Sequence, residues 1–477
     1  MAATGALRAS ADTSHGREHL TRDERVERGR LARTLTPRES QAEFASTRSR
    51  DPVGLLLEQA TTRVPELVPI RHGRMLASPM AYYRGAALQM TVDLAETPVS
   101  GLRVQLCGDA HLSNFGAFAS PERRLVFDLN DFDEALPGPF EWDLKRLAAS
   151  FAVAGRVNGF GAKASRAITA TVAANYRTSM HAFARQTRMQ VWYSHLDVEK
   201  AVAAHRSEIP PKRFKAVQAM LAEARTRDSV RAMRKLTRVV DGQRRIVSDP
   251  PTMVAIEEVF GDIQSDQIYD MLRTVYAKYR RSLRSDRERL LEHFELVQAA
   301  RKIVGVGSVG QRAWVVLLED DENEPVVLQA KEAQASVLAD YCGLSRYRNQ
   351  GKRVVAAQHL MQAFSDIFLG WTHTVGADGV DRDFYVRQLR DWKFSFPVEQ
   401  MQPEDMTIYA RLCAWTLARA HACSGDRIAL AAYMGGSGAF DRAIAAFAEV
   451  YADQNARDYA ILQEAAKTGQ IEVITGI

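Results

Sequence analysis

The sequence predicts an α+β protein in which a small antiparallel sheet joins a predominantly helical larger lobe. Apolar residues recur three and four apart from residue 141 to 301, and again from Met406 onward, which is typical of amphipathic helices. Between these two parts, short runs rich in Val, Leu and aromatic residues predict strands at residues 302–306, 312–318, 326–330 and 383–388. Two further strands are predicted before the helical part, at residues 102–106 and 124–129.

Composition excludes several classes of protein. Of the 477 residues, 46% are hydrophobic and 25% are charged, so we do not expect a disordered chain. A net charge of +5 over this length gives no reason to expect nucleic acid as a partner. The four cysteines form no CxxC pair, which favours a reducing, cytoplasmic location. No apolar run approaches the roughly 18 residues of a membrane span, so we expect neither a membrane span nor a secretion signal.

We expect four segments along the chain. The first is rich in Arg, Glu, Ser and Thr and poor in aromatic residues, so it can bury little and is expected to be mobile or loosely docked. The segments are a mobile N-terminal arm (1–50), the catalytic loop with the helical lobe (51–300), the sheet with a glycine-rich loop (301–400), and returning helices that pack on the helical lobe (401–477). Within the second segment, residues 78–94 predict a helix or a strand–helix unit.

Residues 107–114, CGDAHLSN, place an acid, an imidazole and a carboxamide on one loop after a predicted strand. Loops of this composition often carry function. We expect Asp109 to orient and deprotonate an acceptor hydroxyl. We place His111 in the catalytic set with Asp109. We expect His111 to stabilise the loop by hydrogen bonds rather than to act as a base.

A second acidic group follows at Asp128, Asp131 and Asp133. Carboxylates gathered in this way repel each other unless a cation lies among them, and Mg²⁺ takes carboxylate, carboxamide, phosphate and water oxygens. The spacing D-x-x-x-x-N followed by D-F is the one that protein kinases use. We therefore expect Asn114, Asp131 and Asp133 to hold Mg²⁺. The alternative is a solvated acidic hairpin with Asx-turns.

Residues 305–310, GVGSVG, lie between two predicted strands. A dinucleotide-binding site would need this motif to open a helix, whereas the following QRAWVVLLED predicts a strand. A glycine turn between two strands is typical of the lid that covers the phosphates of ATP. A lysine on the next strand, in VVLQAK, can form ion pairs with these phosphates. The residues expected to bind ATP are Gly305, Gly307, Ser308, Gly310 and Lys331. The alternative is an ordinary glycine hairpin followed by a surface lysine.

Residues 383–394, DFYVRQLRDWKF, take a predicted strand into a polar and aromatic segment. In a two-lobed kinase this segment would be the hinge, whose backbone groups hydrogen-bond the adenine edge. Arg387, Arg390 and Lys393 are equally typical of a salt-bridged surface.

CGDAHLSN followed by DFDEALPGPFEWDL resembles the pattern of aminoglycoside and choline kinases, in which a GDxHxxN loop precedes a DF motif and a DL dipeptide that opens a helix. Asp143 follows Asp131 by twelve residues, a spacing usual in that superfamily. The resemblance therefore implies that Asp131 is the metal aspartate, with Asp128 as the fallback. Cys107 stands where that superfamily usually has a histidine.

From about residue 51 to the end, the chain also resembles a bacterial family catalogued as domain of unknown function 2252. The resemblance is carried by YYRGAA, CGDAHLSNFG, GVGSVG, RQLRDWKFS and YADQNARDY. It supplies no established activity, so the chemistry must come from the motifs.

The order of the motifs is inverted relative to a kinase, in which the glycine-rich loop and the lysine precede the catalytic loop. Residues 417–421, LARAH, resemble the end of the helix that normally leads into that loop. A circularly permuted, protein-kinase-like fold explains both observations. No glutamate suited to pair with Lys331 follows it, apart from Glu332 itself. If the permutation is real, Lys331 should reach Asp131 across the cleft.

Taken together, the motifs predict an ATP- and Mg²⁺-dependent phosphotransferase acting on a hydroxyl of a small molecule or protein. One alternative is a nucleotide-binding regulatory pseudokinase or an AMP-transferring enzyme. Another is a metal-dependent hydrolase that uses Asp109, His111, Asp128 and Asp131. The helical lobe would form the acceptor wall, and its arginines at 225, 227, 231 and 234 are more typical of solvated faces than of an anion site.

Overall fold

The structure is a computed structural model that describes residues 19–44, 50–204, 206–207, 211–225, 236–261, 264–376, 378–389 and 394–477. Some arginines and a lysine considered above as surface groups lie outside these ranges, namely Arg227, Arg231, Arg234, Arg390 and Lys393.

The described residues of the N-terminal segment form a helix that is docked on the rest of the chain. Helix α1 (Arg22–Leu35) begins at a capping box in which Thr21 and Glu24 exchange side chain to backbone hydrogen bonds. Its Gly29 packs so closely on the helix Arg427–Met434 that a Cβ would lie 2.2 Å from the Ala429 carbonyl oxygen. Because glycine has no side chain, α1, which contains no aromatic residue, can pack closely against this helix.

Four short helices follow, namely α2 (Pro52–Ala60), α3 (Val68–Met75), α4 (Pro79–Gly85) and α5 (Ala87–Ala95). Asp51 and Ser78 cap α2 and α4, each with a proline in the first turn. The segment predicted as a helix or a strand–helix unit is thus two helices that meet at Ala86.

Two antiparallel strand pairs then surround the loop at residues 107–114. The strands are β1 (Arg103–Leu106), β2 (Phe115–Ala119), β3 (Leu125–Leu129) and β4 (Leu136–Pro139). β1 pairs with β4, and β2 pairs with β3. Both strands predicted for this region are confirmed as β1 and β3, within one residue of their expected bounds.

The larger lobe is built on helices that follow β4. They are α6 (Phe140–Val157), α7 (Ala162–Arg185) and α8 (Arg188–Tyr193), and after β5 (Leu196–Asp197) come α9 (Val198–Ala204) and α10 (Pro211–Arg225). α6 is buried along almost its whole length, including the polar side chains of Asp143, Lys145 and Arg146. α7 packs against α6, and Tyr176 stacks on Phe140 with 6.1 Å between ring centroids.

The sheet lobe begins earlier in the chain than expected. Its elements are β6 (Thr237–Val240), β7 (Gln243–Ile246), β8 (Met253–Ala255), α11 (Ile256–Val259), α12 (Ser265–Arg280), α13 (Ser285–Leu291), β9 (Phe294–Lys302), β10 (Ala313–Asp320), β11 (Pro325–Ala333), α14 (Ala339–Cys342), α15 (Gln350–Met361), β12 (Gly370–Val375) and β13 (Asp381–Gln388). Six of the strands form one antiparallel sheet in the order β12-β13-β11-β10-β9-β8.

Three of the four strands predicted for this sheet are confirmed as β10, β11 and β13. The fourth, expected at residues 302–306, is wrong because β9 ends at Lys302. The alanines and the glutamine of β9 gave it a helical pattern, yet Gln298 is buried and its side chain accepts a hydrogen bond from the Ile246 backbone N–H at 2.7 Å. Tertiary contacts of this kind override the local pattern.

Three helices complete the fold, namely α16 (Pro403–Ser424), α17 (Arg427–Met434) and α18 (Ala439–Lys467). α16 and α18 pack against α7 and α6, so the end of the chain returns to the helical lobe. No helix in the described part of the chain is both long and apolar enough to cross a membrane.

Candidate active site

A cavity of about 600 Å³ lies between the sheet lobe and the loop at residues 107–114. Most side chains that the sequence analysis selected line it, namely Asp109, His111, Asn114, Asp131, Asp133, Gly305, Gly307, Ser308 and Lys331. Gly310 does not line the cavity but packs on Arg63, and its carbonyl accepts a hydrogen bond from the Val64 N–H at 2.8 Å. The cavity therefore brings together two motifs that are about two hundred residues apart in the chain.

Lys331 projects from β11 into this cavity and pairs with Asp133. Its Nζ also donates to the Ser308 Oγ at 2.6 Å, which ties the lysine to the glycine-rich turn. Burial by itself lowers the pKa of Lys331, but the charges of Asp133, Tyr385 and Asp131 outweigh burial, so that the pKa is raised and the ammonium stays charged. The partner seen here is thus Asp133, two residues beyond the Asp131 that was expected.

Glu332, the other partner considered from sequence, points to the opposite face of β11. It lies 3.3 Å from Arg312 and 3.8 Å from Arg382. Helix α15 carries Arg353. The Arg353 guanidinium donates to the carbonyl oxygens of Asp133 and Ala135, both at 2.7 Å. Arg353 therefore fixes the backbone at residues 133–135, and Lys331 holds the Asp133 side chain.

Asp109 is fixed by an arginine from α6. Arg146 donates from Nε at 2.7 Å and approaches with Nη2 at 2.6 Å, both to the Asp109 Oδ1. Burial lowers the pKa of Arg146, but the charges of Asp109 and Tyr83 outweigh burial and raise it. The Asp109 side chain is 19% exposed and lines the cavity.

The backbone of the loop is held by Asp143, the first residue of the DL dipeptide. Its carboxylate accepts from the N–H groups of Cys107 at 2.8 Å and Gly108 at 3.0 Å. Gly108 has φ +83°, and a Cβ there would lie 2.2 Å from the Glu134 carbonyl oxygen, so only glycine fits. The LARAH histidine, His421, lies 3.2 Å from Asp143 and links the returning helix α16 to the loop.

His111 is buried against Asp109, with 3.6 Å between Nε2 and Oδ2, too far for a hydrogen bond. Its Nδ1 has no hydrogen-bond partner in the described structure. Burial lowers the pKa of His111 to about 4 despite the opposing charge of Asp109. The imidazole is therefore neutral at pH 7 and is a weak base there.

The three side chains expected to bind Mg²⁺ all line the cavity, and the Asp133 carboxylate pairs with Lys331. Asn114 Nδ2 donates to the Asp109 carbonyl oxygen at 2.6 Å, and Asp131 lines the same cavity. Within the described residues, no three carboxylate, imidazole or thiol groups converge as a metal site. Asn114 and Asp131 are ligand types that Mg²⁺ takes, since this ion usually binds one or two protein carboxylates and completes its shell with phosphate oxygens and water.

Asp128, the fallback metal ligand, is engaged elsewhere. It is buried, and its carboxylate accepts from the N–H groups of Leu129 and Ala363, both at 2.9 Å. Asp128 therefore fixes the junction between β3 and the end of α15 rather than facing the cavity.

The glycine-rich motif forms the turn between β9 and β10, as the strand, turn, strand interpretation predicts. Residues Val306–Ser308 make a short 3-10 turn. A Cβ on Gly307 would lie 3.2 Å from the Arg84 carbonyl oxygen, so the turn passes close to α4. Leu389 and Ser395 line the cavity, whereas residues 390–393 of the expected hinge lie outside the described residues.

Several lining residues escaped the sequence analysis. They are Arg63, Arg71, Arg84 and Glu134, and Arg387, which the sequence placed in the expected hinge or on a surface, lines the cavity as well. Burial raises the pKa of Glu134 to about 7. The one usable signal was YYRGAA, in which Arg84 follows two tyrosines that the structure buries. Arg63 and Arg71 carry no local signal.

The family model described as "uncharacterized protein conserved in bacteria" (DUF2252) matches residues 63–465, most of the chain. The chain belongs to this family. The match spans both motifs of the cavity and the helix α16 that returns to them. No curated protein and no solved structure was found to match the chain.

Proposed function

We propose that this member of the DUF2252 family binds ATP with Mg²⁺ in the cavity and transfers the γ-phosphoryl group to a hydroxyl. The observation that carries the proposal is the contact of Lys331 with Asp133 and Ser308 in a cavity that also holds Asp109 and Asn114. Phosphoryl transfer needs a lysine and a glycine-rich turn that hold phosphate oxygens, carboxylates that bind the metal, and an accessible aspartate that accepts the hydroxyl proton.

Each residue has a role in this proposal. Lys331 and the backbone of the glycine turn hold phosphate oxygens, and Asn114 with Asp131 holds Mg²⁺, which neutralises charge on the transferred group. Asp109 orients the acceptor hydroxyl and takes its proton. The acceptor oxygen forms a bond to the γ-phosphorus as the bond from that phosphorus to the β–γ bridging oxygen breaks, which leaves ADP.

We further propose that the fold is a circularly permuted protein-kinase-like fold. In support, the sheet lobe follows the catalytic loop in sequence, and α16 returns from it to the helical lobe. His421 at the end of that helix lies against Asp143, which holds the catalytic loop. Permutation is tolerated by compact domains because their termini usually lie at the surface.

The strongest rival is transfer of AMP, or loss of transfer in a regulatory protein. Arg146 favours it, because both of its contacts go to the Asp109 Oδ1, which leaves one of the two carboxylate oxygens to accept a hydroxyl proton. A metal-dependent hydrolase is less well supported, since it leaves the Lys331 contacts without a purpose.

The test of this proposal is a product assay. Purified protein is incubated with cell extract and ATP labelled in either the α- or the γ-phosphate, and labelled products are analysed by mass spectrometry. We expect products that gain one phosphoryl group and carry only the γ label. Products that gain an adenylyl group would replace kinase activity with AMP transfer.

The matched variant is Lys331→Met, which we expect to weaken ATP binding about 10- to 100-fold, the usual range for one charge-assisted contact. Because it leaves Asp133 buried without its partner, the double variant Lys331→Met with Asp133→Asn serves as the folding control. Unchanged ATP affinity in both variants would remove Lys331 from the site.

A further inference from the structure

Three buried or half-buried arginines line one end of the cavity, and we refer to Arg63, Arg71 and Arg84 as the arginine group. Arg71 is fully buried. Its Nη2 donates to Gln59 Oε1 at 3.0 Å and to the Gly85 carbonyl oxygen at 2.9 Å, whereas Nε and Nη1 have no hydrogen-bond partner. Among the described residues, the acceptors of the Arg71 guanidinium are therefore neutral.

The other two members are also incompletely satisfied. Arg63 is 8% exposed and donates from Nη1 to the Val309 carbonyl oxygen, but its Nε has no partner. The Nε of Arg84 is buried without a partner as well. In the described part of the chain, no carboxylate forms an ion pair with any of the three arginines.

The electrostatics of the group are unfavourable without an anion. Burial lowers the pKa of Arg71 well below its usual value, and the charge of Arg63 lowers it further. Burial also lowers the pKa of Arg63 to about 10, although Glu134, Asp133 and Glu332 oppose the change. Buried cations are normally paired, so neighbouring guanidiniums with free donors that line a cavity are the features of an anion site.

The group lies between the loop that carries Asp109 and the glycine-rich turn, because Gly310 packs on Arg63 and Gly307 approaches the Arg84 backbone. Arg146, which holds Asp109, also donates to the carbonyl oxygen of Tyr83, the residue before Arg84. Arg71 in turn donates to the carbonyl oxygen of Gly85, the residue after it. All three arginines belong to the helical segment that precedes the catalytic loop, whereas Lys331 and Ser308 belong to the sheet lobe.

We propose that the arginine group binds a phosphate group carried by the acceptor, so that the molecule phosphorylated by this protein is itself an anion. The inference rests on the proposed function for its reaction, but the anion site itself does not. It distinguishes this chain from a kinase for cationic acceptors, because three guanidiniums in the same cavity as Asp109 would repel an ammonium group.

The experiment measures binding of inorganic phosphate by calorimetry to the full chain saturated with Mg²⁺ and a non-hydrolysable ATP analogue. The variants are Arg71→Gln and Arg84→Gln. The control is Arg156→Gln, which removes an arginine that pairs with Glu449 and Asp453 on the surface. We expect phosphate affinity to fall about tenfold or more in the two variants, the usual loss for a charge-assisted bond, and to stay unchanged in the control.

The same titrations separate the possible failures. If phosphate competes with the ATP analogue, or if Arg71→Gln weakens the analogue as much as phosphate, the arginines hold the nucleotide and the proposal is wrong. Phosphate binding that is equal in all variants would also overturn it. If the analogue does not bind but phosphate binding still depends on the arginines, the proposed function fails while the anion site stands. Arg84 is only half-buried, so its variant keeps the test valid should Arg71→Gln not fold.

Discussion

The two faces of the six-stranded sheet carry cavities of similar size and opposite chemistry. The cavity of about 600 Å³ on the face toward the helical lobe is lined by charged side chains, including Lys331 and Arg387. The cavity of about 570 Å³ on the other face, between the sheet and α12, is lined largely by aliphatic and aromatic side chains, including Trp314 and Phe384. Volume alone therefore does not indicate which face carries the chemistry.

The alternation of side chains along the strands produces this difference. On β11, Leu328 and Ala330 face the apolar cavity, whereas Gln329 and Lys331 face the charged one. On β13, Tyr385 faces the charged side, where its hydroxyl donates to Asp133 at 2.8 Å. Adjacent residues of one strand thus contribute to folding stability on the apolar face and, as we propose, to ATP binding on the charged face.

The largest effect is expected on the apolar face, for Leu328→Ala. Leu328 is 1% exposed, and deletion of a buried leucine side chain costs about 2–5 kcal/mol of unfolding free energy. Chemical denaturation measures this loss, and calorimetry at a temperature where the variant stays folded should show unchanged ATP affinity. A loss of ATP affinity without a loss of stability would reverse the roles of the two faces.

The next effect concerns the charged face and catalysis. Asp109→Asn should lower turnover roughly 10²-fold or more, about 2.7 kcal/mol, while ATP affinity stays nearly unchanged, because a general base acts on the acceptor. Turnover is followed with γ-labelled ATP in cell extract. A variant that keeps wild-type turnover would exclude Asp109 as the base.

The smallest effect concerns pH. The pKa of Glu134 is raised to about 7 by burial, so the folded state holds its proton more tightly than the unfolded state does. Its contribution to stability is present below its ordinary pKa and is lost as pH rises through about 7. Relative to wild type, Glu134→Gln should therefore gain about 1–3 kcal/mol between pH 5 and pH 8, a range that allows for partial exposure. Denaturation curves at both pH values check this, with the exposed Glu122→Gln as control.

Sequence reasoning found the parts of the charged face that have a local signature. The turn at Gly305–Ser308 and the strand that carries Lys331 follow from glycine spacing and from alternating apolar residues. Cys107 to Asn114 was recognisable because polar residues of several kinds follow a buried strand. These are short-range patterns, which a single sequence displays directly.

The missing parts depend on contacts between distant residues. Asp131 and Asp133 have the same type and nearly the same position, and only the packing of Arg353 and Tyr385 decides that Asp133 faces Lys331. The arginine group was missed for a similar reason. Nothing in the neighbours of Arg71 shows that its guanidinium is buried, because the burial comes from contacts with other segments.

The central claim is that the charged face binds ATP through a metal held at Asp131. Calorimetry of ATP binding with and without Mg²⁺, on wild type, Asp131→Ala and Asp128→Asn, tests it most directly. Asp128 is the matched control, because its carboxylate is occupied by the N–H groups of Leu129 and Ala363. We predict binding that requires Mg²⁺ in wild type and in Asp128→Asn, and no such binding in Asp131→Ala. Binding that is lost in Asp128→Asn but kept in Asp131→Ala, or no ATP binding at all by the folded wild-type chain, would contradict the account.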